Sequence, residues 1–143
     1  MNKDPARQIP IEELSRYFRV PSRGIVVDYP GREILFASRI TNISRHGVFV
    51  RTKSPFAKMS RIDIAFCLPT SPRALHASCV VRWSTASDPS ERPSGYPVEG
   101  MGLEFTRIAR QDRKAIETYI EQYLTRIRAP GKSAEDRGRS VKA

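Results

Sequence analysis

Two short segments carry the side chains best suited to chemistry, Arg16-Tyr17-Phe18-Arg19-Val20-Pro21 and Asn42-Ile43-Ser44-Arg45-His46-Gly47. Their types fit reversible recognition better than bond breaking. A guanidinium is always charged and presents five N–H donors, while an amide and a hydroxyl both donate and accept. A glycine admits a close approach that a Cβ would block. Taken alone, Arg16 and Arg19 read as solvated residues around a short helix. Asn42 and Ser44 read as turn formers that bond their own backbone. His46 has no carboxylate or nucleophile in a recognisable arrangement beside it, and His76 is far away in sequence, so no acid–base role is assigned. Cys67 and Cys79 match no metal-ligand spacing and read as buried free thiols. No phosphate-binding glycine loop, metal set or activated nucleophile is visible, so no catalytic or metal residue is expected and the chain is not read as an enzyme.

Charge points to an anionic partner. The chain has 143 residues and a net charge of +10. The tail contributes Lys132, Arg137, Arg139 and Lys142 against Glu135 and Asp136, and the remaining excess is spread without a block of like charges. A solvated surface and an anion-binding face are both compatible with that distribution. The length suits one domain with its own core. No apolar run approaches the ~18–20 residues that span a bilayer, and Met1 to Gln8 are polar, so a cytoplasmic location without membrane insertion is expected.

The elements that must position these residues follow from periodicity. Residues 1–14 read as a flexible segment with a short helix, in which Pro10 precedes Glu12 and Glu13, and Ile11, Leu14 and Phe18 recur until Pro21. Strands are predicted over Ile25–Tyr29, Arg32–Ile43, Gly47–Arg51, Ile62–Leu68, His76–Trp83 and Gly102–Phe105, separated by turn residues. Phe49 and Phe66 alternate like core residues, and Trp83 reads as a core anchor. Ser84 to Pro97 is a proline-rich loop. Ile116, Ile120, Tyr123 and Ile127 fall at helical steps, which predicts an amphipathic helix over about 110–127. The tail 129–143 is polar and is expected to be disordered.

The two polar segments, Trp83, the closing Gly100-Met101-Gly102-Leu103-Glu104-Phe105 and the last helix, in this order, resemble the PilZ domain family. The resemblance is closest to PilZ-like proteins of gliding and predatory soil bacteria and covers roughly 15–127, within a domain of 15–128. It implies a mainly β fold: a six-stranded antiparallel barrel with a short N-terminal helix or loop and a C-terminal amphipathic helix. It also implies a ligand, cyclic di-GMP, held between an Arg-x-x-x-Arg segment and an Asn-x-Ser-x-x-Gly turn. The implied ligand residues are Arg16, Arg19, Asn42, Ser44 and Gly47, with Arg23 as a weaker candidate. The first arginine position falls on Ser15, with Arg16 one residue away. A literal Arg-x-x-x-Arg runs from Arg19 to Arg23, but Arg23 falls where the first strand is expected. A guanidinium can bond guanine O6 and N7, stack on the base and neutralise phosphate.

Three functions follow from this. The first is a cyclic di-GMP receptor with no further cofactor. The second is a degenerate adaptor that docks by protein contacts in motility or polarity regulation, using the 84–97 loop and the last helix. The third, a nucleic-acid-binding barrel, needs exposed aromatics interleaved with bases on its strands and is disfavoured here.

Overall fold

Ile62, Ile64 and Phe66 alternate with Asp63, Ala65 and Cys67, and only an extended chain turns every second side chain to one face. In a computed structural model of the chain, which describes residues 9–32, 38–86 and 99–128, the first three are buried and the others point outward. They belong to β4 (Arg61–Cys67). The remaining elements are α1 (Ile11–Leu14), β1 (Val20–Asp28), β2 (Ser38–Ile43), β3 (Gly47–Arg51), β5 (Ala74–Ser84), β6 (Gly100–Ile108) and α2 (Arg110–Arg128). Among the described residues no helix is long and apolar enough to cross a membrane.

The six strands close into an antiparallel barrel in the order β1-β2-β3-β6-β5-β4. Closure is made by β1 and β4, where Val27 faces Phe66 and Asp28 faces Ala65. A closed barrel leaves no sheet edge, so every strand has a neighbour on both sides. Ile40, Ile64, Leu75, Val81 and Met101 are fully enclosed within it. Each side chain of this kind contributes about 1.5–3 kcal/mol through removal from water. Ile116, Ile120 and Leu124 of α2 join the same cluster. Inward-facing residues of a closed barrel are reached only through an open end, so α2 lies across one mouth. Ile11 and Leu14 of α1 pack beside it with Tyr119 and Tyr123.

The mouth is pinned by a charge pair that the periodicity did not reveal. Asp112, in the first turn of α2, is almost fully buried. It accepts from Arg73 Nη1 at 2.6 Å and from the His76 backbone N–H at 3.3 Å. A buried carboxylate is tolerable only with such partners.

Several expectations are corrected at element ends. The first helix is a single turn: it stops at Leu14, and Phe18 is exposed rather than on its buried face. Ser15 closes it, with its hydroxyl donating to Glu12 O at 2.9 Å. The first strand starts at Val20 instead of Ile25. Val20 precedes Pro21, and the proline ring confines its predecessor to extended conformations. The strand then bulges between Pro21 and Ile25, where Gly24 has φ +62°. Of the two thiols, Cys79 is buried as expected, and burial pushes it up to about 12. Cys67 lies on the outward phase of β4 and is exposed. The expected flexible residues 1–8, the loop over 87–98 and the tail 129–143 lie outside the described residues, as do 33–37 of the predicted second strand.

Candidate functional site

The pairing of β1 with β2 decides which polar residues meet. Val20 faces Ile43 and Pro21 faces Asn42, so the residue before β1 arrives beside the end of β2. That residue is Arg19. Its Nη1 donates to Asn42 Oδ1 at 2.6 Å, joining positions 23 apart in sequence. The amide oxygen thereby holds a cation at the rim of the barrel.

Next to it, the chain turns from β2 to β3 over Ser44–Gly47. The Ser44 N–H donates to Gly47 O at 2.9 Å, and its hydroxyl oxygen accepts from the backbone N–H of His46 and of Gly47, each at 3.2 Å. A serine at this position competes for backbone donors and so stabilises the turn. It is itself buried, at 8% exposure. Gly47 faces Glu104 on β6, and a Cβ there would stand 2.0 Å from Leu103 O, so only glycine allows this approach. The turn is fastened outward as well. His46 O accepts from Phe105 N–H at 2.8 Å, Arg45 Nε lies 2.6 Å from Glu117 Oε2, and Arg113 Nη1 donates to Arg45 O at 2.8 Å. The last two contacts tie the turn to α2.

Beside the turn a cleft of about 240 Å³ opens on the outer wall of β3, β6 and β5. Its rim includes Arg19, His46, Gly47, Arg82, Trp83 and Glu104. The aromatic wall departs from the sequence reading. Val48 and Val50 point into the barrel, so Phe49 between them points out, although it is only 4% exposed. It is covered by Trp83, with ring centroids 5.2 Å apart and planes 20° from parallel. Trp83 reaches this face because β5 bulges: Val81 faces Leu103, Trp83 faces Gly102 and Ser84 faces Met101. Arg82 is the extra residue, and the alternation shifts by one after it. Gly102 pairs with Phe49 on one side and Trp83 on the other, and a Cβ on it would stand 2.3 Å from Trp83 Nε1. Neither aromatic is an interior core residue. Arg82 Nε and Glu104 Oε1 form an ion pair across β5 and β6.

Of the residues singled out in the sequence, Arg19, Asn42, Ser44 and Gly47 thus gather at one corner. Arg16 is exposed in the turn after α1 and is not among the residues lining the cleft. Ser15, at the expected first arginine position, is buried in the cap of α1. Arg23 lies within β1, and its side chain is outside the described set. Sequence reasoning missed Arg82, Trp83 and Glu104 as cleft residues. The available signal was Gly102, a glycine inside a strand pattern, which marks a bulge or a close approach.

The description of the PilZ domain matches residues 13–122. Among solved structures, the inhibitor of motility from Bacillus subtilis (MotI/DgrA) is 20% identical with a TM-score of 0.59. That match covers 75% of this chain and 49% of that one, so the chain spans about half the length of this neighbour. An uncharacterised Legionella protein is 18% identical over 81% of this chain and 99% of its own, with a TM-score of 0.40. No curated protein matches. At 20% identity the likeness to the inhibitor of motility is one of fold alone.

Proposed function

As the chain belongs to the PilZ domain family, whose members are regulatory and non-catalytic, we propose that it is a receptor for cyclic di-GMP that binds at the Arg19 corner and the adjoining cleft. One observation carries this reading: the 2.6 Å bond from Arg19 Nη1 to Asn42 Oδ1 joins the arginine segment to the Asn-x-Ser-x-x-Gly turn. Arg19 offers charge to a phosphate or a donor fork to a guanine. The cleft beside it, at about 240 Å³, is smaller than the ~300–1,000 Å³ of pockets that enclose a whole small molecule. It suits one base, with the rest of the ligand on the barrel wall. Ser44 acts through the turn, since its hydroxyl oxygen already accepts two backbone donors. Gly47 keeps the turn close to β6.

A second reading rests on Ser15. Where the family resemblance implies the first arginine, this chain buries a serine in a helix cap. Losing one charged hydrogen-bonding group typically costs ~1.5–3 kcal/mol, roughly ten- to a hundredfold in affinity. The same barrel without useful nucleotide affinity acts as an adaptor, docking onto motility or polarity machinery through exposed groups such as Tyr17 and Phe18.

Calorimetric titration with cyclic di-GMP separates the two. Micromolar binding that Arg19→Ala weakens supports the receptor. A folded protein that gives no heat at high micromolar ligand sinks it and leaves the adaptor.

A further inference from the structure

Arg82 and Glu104 form a pair whose geometry the fold does not need. Arg82 is the bulged residue of β5, without a cross-strand partner of its own. Bulges recur beside functional sites because they re-aim a side chain. Glu104 faces Gly47 on β3, which carries no side chain of its own, and it lines the cleft with its side chain half exposed. It is the one carboxylate among the described residues that line the cleft. The two side chains are 54% and 46% exposed, and an ion pair that open contributes little to stability. The bond joins Arg82 Nε to Glu104 Oε1. That contact uses one of the guanidinium's five donors and one of the two carboxylate oxygens.

A guanidinium beside a carboxylate presents donors and acceptors in a set order. Along its edge, guanine offers N2–H and N1–H as donors, then O6 and N7 as acceptors. Its two donors fit the carboxylate while O6 fits the guanidinium. Adenine has the opposite polarity at the two central places. Its N1 lone pair would face the carboxylate and its N6 amino group would face the guanidinium. A base seated over the pair would take both groups out of water, and a wrongly faced group would then lose its water without gaining a partner.

We propose that the Arg82–Glu104 pair reads the base seated in the cleft and selects guanine over adenine. This rests on the receptor reading above and adds to it a specificity element outside the two sequence segments. Trp83, next to Arg82 in the same bulge, supplies the aromatic wall against which the base is held.

The test compares cyclic di-GMP with cyclic di-AMP by calorimetry on the full chain. The proteins are the wild type, Glu104→Gln and the charge-swapped double variant Arg82→Glu/Glu104→Arg. The wild type is expected to prefer the guanine ligand by at least about tenfold, the value of one hydrogen-bonded charge. Glu104→Gln narrows that preference, since an amide can serve either base. The swap keeps an ion pair but reverses its polarity, and removes or inverts the preference. Should the swap fail to fold in a thermal melt, Glu104→Gln carries the test alone. An unchanged guanine preference in Glu104→Gln, in a protein that binds cyclic di-GMP, overturns the inference and leaves the receptor reading standing. A wild type that binds neither ligand removes the receptor reading and this inference with it.

Discussion

The two halves of the candidate site are built in opposite ways. The turn Ser44–Gly47 buries the residues at its two ends, satisfies its own donors, and is fastened to β6 and α2 by three further contacts. The segment Arg16–Arg19 is exposed along its length and reaches the turn through the bond from Arg19 to Asn42. The turn therefore belongs to the fold, and Arg19 is an addition to its surface. The first is costly to alter because backbone groups lose partners; the second carries charge at little structural cost. Stability and recognition should accordingly separate along this boundary.

Four substitutions press on that boundary. Gly47→Ala is expected to be the most damaging, because its Cβ would meet the Leu103 carbonyl oxygen and backbone on both strands must give way. A loss of about 3 kcal/mol or more is expected, seen as a large drop in melting temperature. Gly102→Ala collides with the Trp83 ring instead, and a side chain can move. A loss of roughly 1–3 kcal/mol is expected, with a red-shifted tryptophan emission as the Phe49 stack opens. Ser44→Ala strips two backbone N–H groups of their acceptor and should cost about 1–2 kcal/mol in chemical denaturation. Arg19→Ala should shift stability by less than about 0.5 kcal/mol while lowering cyclic di-GMP affinity about tenfold. If Arg19→Ala melts the protein as Ser44→Ala does, the boundary is misplaced. If Ser44→Ala lowers affinity at unchanged stability, the serine meets ligand directly.

Legibility in the sequence followed the same division. The alternation of Ile62, Ile64 and Phe66 and the helical steps of Ile116 and Ile120 report burial directly, and β4 and α2 stand where that burial requires. The Asn42–Gly47 turn was recognisable because its residues are contiguous. Trp83 and Phe49 were misread as interior. A strand's phase is readable only while it pairs one residue to one, and the bulge that shifts it depends on which residues of β6 lie opposite. The Arg82–Glu104 pair was equally hidden, since it joins positions 22 apart on separate strands. Asp112 was not singled out in the sequence at all, although the structure buries it. Its burial follows from the docking of α2 against β5, which no spacing within the helix encodes.

The bulge in β5 also bears on how such a surface is acquired. Val81, Trp83 and Ser84 alone would pair in unbroken succession with Leu103, Gly102 and Met101. Arg82 is thus a one-codon insertion in its structural effect. It adds a cation beside the cleft while every interior side chain keeps its place. Most positions in a closed barrel lack this freedom, since adding or losing one residue turns the rest of a strand inside out. At this point the chain can carry one residue more or less beside the cleft without turning the rest of the strand over.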